Sequence, residues 1–170
     1  LIKDVKDIVV RFSGDSGDGM QLSGTIFSAL SAIFGNQIAT FPDFPAEIRA
    51  PQGTLEGVSG FQVHLGSEVY TSGDKTDVLV AMNPAALKVN VGHLKKDSVI
   101  IIDTDSFQKK DLERALFKTD DPFHELGLDN VQVVAIPITT LTRASLESFD
   151  LDLKAKTRSK NMFALGVVCW

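Results

Sequence analysis

Three glycines and two aspartates fall together in Gly14-Asp15-Ser16-Gly17-Asp18-Gly19, between an apolar run and an amphipathic one. Ile8–Phe12 reads as a strand entering this segment, and Met20–Phe34 reads as a helix leaving it. A strand-to-helix turn presents the first helical N–H groups and the positive end of the macrodipole, which suits a phosphate. Glycine there permits positive φ and close approach of a ligand. The spacing GxxGxG reverses the dinucleotide fingerprint GxGxxG but keeps its strand–turn–helix setting. Asp15 and Asp18 would repel a phosphate unless they turn away, and Asp18 stands where a helix cap is common. Gly14, Asp15, Ser16, Gly17, Asp18 and Gly19 thus form either a phosphate-type site or a structural turn.

Other chemistry-bearing residues are scattered. Gly17-Asp18-Gly19 before a helix is also how a thiamine-diphosphate motif opens, with the Asp and a downstream Asn ligating Mg²⁺ through oxygen. The next asparagines are Asn36 and Asn83, one too near and one too far, so this chain is not expected to hold that metal by itself. No nucleophile–base pair stands out. His64, His93 and His124 are isolated, with surface or satisfied core roles expected of each. Asp103-Thr104-Asp105 ends a buried strand on the side where α/β sites form, and helix capping is the expected use. Asn161, on an otherwise apolar helix, needs a partner and is placed to bond across to the Gly loop.

Positioning these residues requires alternating strands and helices. Further strand candidates are Gln37–Thr40, Phe61–Leu65, Val69–Ser72, Val78–Met82, Val99–Asp103 and Val131–Pro137. Val78–Met82 and Ser98–Asp103 are continuously apolar, as strands covered on both faces of a parallel sheet should be. Further helix candidates are Pro84–Leu94, Lys109–Phe117, Leu141–Glu147 and Arg158–Trp170. Pro84 after Asn83 marks a helix start, and Gly35-Asn36 a left-handed helix end. Gly66-Ser67-Glu68 reads as a hairpin turn between Phe61–Leu65 and Val69–Tyr70. The fold class expected is α/β: a three-layer, Rossmann-like architecture with a mostly parallel sheet and an antiparallel hairpin insertion.

The longest stretch without regular pattern runs from Phe41 to Gly60. Such loops are usually functional or disordered, and Pro42, Pro45, Pro51, Phe41 and Phe44 argue against disorder. With Gln37–Thr40 expected beside the first strand, this loop should lie near the Gly loop. Glu47 and Arg49 then become candidates to recognise an anion or a partner chain, with an exposed ion pair as the plainer alternative. Asp43 stands near the place where a dehydrogenase's dinucleotide site needs an acid, although Pro42 interrupts the approach.

The 170 residues, 44% of them hydrophobic, suffice for one substantial core and suggest one domain. A net charge of −5 argues against nucleic acid as a partner. The single cysteine, Cys169, excludes a disulfide framework, a CxxC pair and an iron–sulfur cluster held by this chain alone. Without a signal peptide or an apolar run long enough to span a bilayer, a cytoplasmic protein with no membrane partner is expected. The chain starts at Leu1 and stops on Trp170 within an apolar helix pattern, so residues 1–170 read as one domain cut from a longer polypeptide.

Taken together, three stretches resemble a known family: Gly14–Met20, Pro45–Thr54 (PAEIRAPQGT) and Ser59–Val63 (SGFQV). Asn83-Pro84 and Lys160–Gly166 (KNMFALG) extend the resemblance over almost the whole chain. It resembles the gamma domain of the 2-oxoacid:ferredoxin oxidoreductases, as fused in the alpha subunit of 2-oxoglutarate-type enzymes. The resemblance implies an enzyme that oxidatively decarboxylates a 2-oxoacid with coenzyme A, giving acyl-CoA, CO₂ and reduced ferredoxin. It implies thiamine diphosphate and Mg²⁺ between two other domains, iron–sulfur clusters elsewhere, and the rest of the alpha subunit, the beta subunit and ferredoxin as partners. The gamma domain is implied on the coenzyme A side, with Gly14–Gly19 and Arg49 as its candidate contacts. Where simpler gamma subunits carry a GxGGxG-like loop and Arg-Gly-Gly, this chain has Ser16 and Asp18, and Arg49-Ala50-Pro51.

Overall fold

Strand β1 (Asp7–Asp15) leads into helix α1 (Met20–Ile33), and the computed structural model describes residues 5–47 and 49–170. Then come β2 (Gln37–Asp43), β3 (Val58–Gly66), β4 (Thr76–Ala81), α2 (Pro84–Asn90), β5 (Leu94–Asp103), α3 (Lys109–Arg114) and α4 (Pro122–Glu125). Strand β6 (Gln132–Ile136) and helices α5 (Ile138–Ser145), α6 (Leu153–Arg158) and α7 (Lys160–Cys169) complete the chain. The strands form one sheet in the order β2-β3-β1-β4-β5-β6. β1, β4, β5 and β6 run parallel, and β3 runs antiparallel to both of its neighbours.

The continuous apolar runs are explained by cover on both faces. Val10, Phe12, Val80, Met82 and Ile101 point to one side, against Met20 of α1, Ile138 of α5 and Ala164 and Leu165 of α7. Leu79, Ala81, Ile100 and Ile102 point to the other, against Ala85–Leu87 of α2 and Leu112 of α3. On the first side Phe12 meets Phe27 edge-on at 5.7 Å between ring centroids. Gly24 sits where α1 crosses β3, and a Cβ there would overlap the Phe61 ring. That close approach accounts for a glycine in mid-helix.

The expected antiparallel insertion is present but built differently. Residues 69–72 form no strand; this segment instead lies over β3, where Gln62 Nε2 donates to the carbonyls of Ser72 and Gly73 at 2.8 and 2.6 Å. The partner of β3 is β2, across the long loop, so β3 and not β2 is the neighbour of β1. A short Gly-Ser-Glu segment reads locally as a hairpin turn, but those carbonyls are met by a side chain. The ends of α1 and α2 follow their local signals. Gly35, at φ 84°, stops α1, and Asn83 Oδ1 accepts the Ala86 N–H at 2.8 Å with Pro84 in the first turn of α2. The Pro84–Leu94 helix ends early because Leu94 already pairs with Thr76 in the sheet. The Arg158–Trp170 helix begins at Lys160, and α6 before it is a separate short helix capped by Asp152 on Ala155 N–H at 2.6 Å.

Candidate functional site

Helix α1, which follows β1, packs on one face of the sheet, whereas α2, which follows β4, packs on the other. β1 and β4 are adjacent, so the chain diverges between their carboxyl ends and opens a crevice there. A cleft of about 170 Å³ occupies that crevice. Asp15 and Asp18 line it from the Gly loop, Met82 and Asn83 from the end of β4, Gln52 and Gly53 from the long loop, and Lys160 from α7.

Within the Gly loop the residues have separate tasks. Gly14 belongs to β1, opposite Ser59, and Ser16 and Gly17 lie in the exposed or half-exposed turn that follows. Gly19 is the residue before α1 and adopts φ 76°, ψ 24°. A Cβ on Gly19 would collide with Asn161 Nδ2, whereas one on Gly17 would meet only Gln52 Nε2 at 4.0 Å. Positive φ is thus needed at Gly19 and is absent at Gly17. As expected, Asn161 bonds across to this loop, its Nδ2 donating to the Gly19 carbonyl at 3.3 Å.

Asp18 does not cap α1, contrary to expectation. Its Oδ2 accepts the Asp15 N–H at 3.0 Å and its Oδ1 lies 2.9 Å from Lys160 Nζ, with both side chains largely buried. The carboxylate is turned back across the loop, and α1 begins without a side-chain cap. Asp15 takes the Gly53 N–H with both carboxylate oxygens at 3.1 Å. That bond ties the long loop to the Gly loop, as their expected proximity requires. Burial pushes the Asp15 carboxyl above its ordinary pKa, aided by the Asp18 charge and opposed by the Gly53 N–H, Asn83 and Lys160.

Arg49 is exposed on a turn of the same loop and lines neither the cleft nor the cationic recess of about 550 Å³ beside it, which Gly17, Arg143, Lys154, Arg158 and Lys160 help to wall. Asp43 pairs with the guanidinium of buried Arg11, which also reaches Gln62. With β3 between β2 and β1, Asp43 is not beside the Gly loop, where a dinucleotide site would need it. Asp103 caps as expected, accepting the Asp105 N–H, and adds a 2.6 Å bond from Thr139 Oγ1 that fixes the start of α5. His64, His93 and His124 lie on three different elements, and His64 bonds the Thr71 carbonyl at 2.6 Å. Lys160, Asn83 and Gln52 belong to no site motif in the sequence; the one signal for them is a polar residue directly after a buried strand, as at Asn83.

Residues 9–170 match the profile of the pyruvate ferredoxin/flavodoxin oxidoreductase family. The chain is 47% identical over 167 residues to the 2-oxoglutarate oxidoreductase subunit KorA of Mycobacterium tuberculosis, covering 98% of this chain and 25% of that protein. It is 28% identical over 111 residues to the pyruvate/ketoisovalerate oxidoreductases common subunit gamma of Pyrococcus abyssi, covering 57% of that protein. The chain thus spans a quarter of one curated relative and little over half of the other. Among solved structures it resembles the 2-oxoglutarate:ferredoxin oxidoreductase of Magnetococcus marinus with 2-oxoglutarate, coenzyme A and succinyl-CoA bound. That match has a TM-score of 0.69 at 30% identity, over 97% of this chain and 24% of the other. The gamma subunit of a keto/oxoacid ferredoxin oxidoreductase from Geobacter sulfurreducens shares the fold, with a TM-score of 0.66 at 21% identity over 96% of this chain and 75% of the other.

Proposed function

The chain belongs to the pyruvate ferredoxin/flavodoxin oxidoreductase family, and from that premise we propose that it is the gamma-type domain of a cytoplasmic 2-oxoglutarate:ferredoxin oxidoreductase. The whole enzyme would convert a 2-oxoacid, coenzyme A and oxidised ferredoxin to acyl-CoA, CO₂ and reduced ferredoxin. This domain would serve the coenzyme A side. The observation that carries the proposal is the crevice between β1 and β4, where sheets of this kind bind ligands. Its walls bring together hydrogen-bonding groups of Asp15 and Asp18 from the Gly loop, Asn83 after β4, Gln52 of the long loop and Lys160 of α7.

The residues of this chain do not fit the other cofactors of such an enzyme. Iron–sulfur clusters need a set of thiolates, and the chain has one cysteine, which is exposed. Asp18, the one candidate for a thiamine-bound Mg²⁺, is turned to Lys160 and the Asp15 N–H. Among the described residues no group of three or more His, Cys, Asp or Glu could hold a metal ion. In this reading decarboxylation and electron transfer fall to other parts of the enzyme: the rest of an alpha subunit, a beta subunit and ferredoxin. The segment Phe41–Pro51, expected as loop from its start but held in β2 as far as Asp43 by pairing with β3, offers a contact for them, since Phe41 and Phe44 are 50% and 69% exposed.

The test is dye reduction by the complete enzyme. Viologen reduction should require both 2-oxoglutarate and coenzyme A, and the 170-residue domain alone should be inactive. Full activity of the complete enzyme without coenzyme A would refute the proposal.

A further inference from the structure

Charged residues make up 23% of the chain, yet none falls between Asp18 and Asp43 or after Lys160. Those two stretches supply α1 and α7, which pack side by side on one face of the sheet, with Ser23 Oγ donating to the Asn161 carbonyl at 3.2 Å. Met20 and Phe27 hold α1 to the sheet. Its opposite side carries Leu22, Ile26, Ala29 and Ile33, at i, i+4, i+7 and i+11, with Leu22 and Ile33 54% and 79% exposed. The exposed residues of α7 are Met162, Gly166 and Cys169, again uncharged. Polar side chains of α1 are spent within it: the Thr25 and Ser28 hydroxyls each donate to the carbonyl four residues back at 2.8 Å. By contrast α3, on the far face, shows Lys109, Lys110 and Glu113 to water. A helix without charge on either side is a helix built to be buried.

The spacing of four, three and four residues is that of a seam that takes a second helix. By helix geometry the seam is about 16 Å long and about 10 Å wide, well short of the ~800 Å² that each partner of a free-standing dimer buries. A contact that small holds when both sides are tethered, because binding is then intramolecular. The chain spans 25% of the KorA relative and 24% of the Magnetococcus chain, so most of each polypeptide lies outside the matched part. We infer that the outer face of α1, flanked by α7, docks an uncharged, apolar helix contributed by the rest of the same polypeptide. This inference rests on reading the chain as one domain of a larger enzyme, but its test needs no turnover.

The probe is a photoreactive benzoylphenylalanine placed at position 33 of the complete enzyme. Irradiation should link it to a peptide of the same polypeptide outside residues 1–170, leaving the mass of every subunit unchanged on a denaturing gel. Links only to a second copy or to another subunit, or none at all, would overturn the inference. A second measurement uses Ile33→Glu, which should leave the domain itself folded because that side chain is 79% exposed. The new charge should undock the helix, so that protease cuts between this domain and the rest about tenfold faster than in the parent, cleavage following the population of the opened form. Ile33→Met keeps the seam apolar and should be cut at the parent rate. Cutting of Ile33→Glu at the parent rate, or of Ile33→Met as fast as Ile33→Glu, would also overturn the inference. The expected link in an enzyme that reduces dye without coenzyme A would retain this interface and remove the coenzyme A assignment instead.

Discussion

Replacing Gly19 by alanine tests the geometry of the turn, and its consequence follows from two separable contributions. The backbone there is at φ 76°, ψ 24°, which a residue with a Cβ tolerates at a cost of about 1–2 kcal/mol. The new methyl would also run into the Asn161 amide, which must swing away and lose its 3.3 Å bond to the Gly19 carbonyl. A lost hydrogen bond is worth about 0.5–1.5 kcal/mol net. The total expected is about 1.5–3.5 kcal/mol, summed from the φ and hydrogen-bond magnitudes. Asn161→Ala removes the obstacle, and the Gly19 carbonyl keeps its bond from the Ser23 N–H at 3.0 Å. In that background Gly19→Ala should cost only the backbone share, about 1–2 kcal/mol. Urea denaturation of the four proteins in this cycle gives the coupling directly. Gly17→Ala, with φ outside the left-handed region and an open site, should stay within about 0.5 kcal/mol of the parent. Equal costs in the two Asn161 backgrounds would refute the steric argument, and a cost equal to that of Gly17→Ala would refute the backbone one.

Three further outcomes are expected. Asp43→Ala should destabilise by about 1–2 kcal/mol, below the 3–5 of a fully buried pair because the Asp43 carboxylate is 41% exposed; a melt indistinguishable from the parent would show that solvent satisfies Arg11. The Asp15 carboxyl is raised from 3.8 chiefly by burial, so the folded state holds its proton longer than the unfolded chain and stability falls as pH rises through that window; Asp15→Asn should flatten this fall and raise Tm more at pH 7 than at pH 4, and a parallel shift at both would contradict it. Arg49→Ala should leave the domain folded while weakening turnover or subunit affinity of the complete enzyme, with Arg49→Lys rescuing poorly because an ammonium lacks the bidentate fork; unchanged kcat, coenzyme A KM and subunit affinity would reduce Arg49 to a surface charge.

Much of the fold was legible because its signals are local. The apolar runs at Val78–Met82 and Ser98–Asp103 marked buried parallel strands, and Asn83-Pro84 and Gly35 marked helix ends. The pairing of β3 was not legible. Val69–Tyr70 carries the same β-forming residue types as β2, and only the match of β2 to β3 across the long loop decides between them. The Gly loop could be placed between a strand and a helix, but the task of Asp18 could not, since its partner Lys160 lies 142 residues away in sequence. Asn161 was legible because a polar residue on an apolar helix demands a partner. That Lys154 and Arg158 of α6 wall a recess beside the Gly loop depends on how α5, α6 and α7 pack together, which no local signal carries.

The most direct test of the domain's role is a steady-state comparison of the complete enzyme with its Gly17→Leu variant. Gly17 lines the cationic recess, has an ordinary backbone conformation and leaves space for a Cβ, so the variant should fold and obstruct the ligand path. If the domain serves coenzyme A, its KM should rise about tenfold or more, equivalent to about 1.4 kcal/mol of lost binding, while the KM for 2-oxoglutarate stays unchanged. A coenzyme A KM equal to that of the parent, or an equal rise in both constants, would contradict the account.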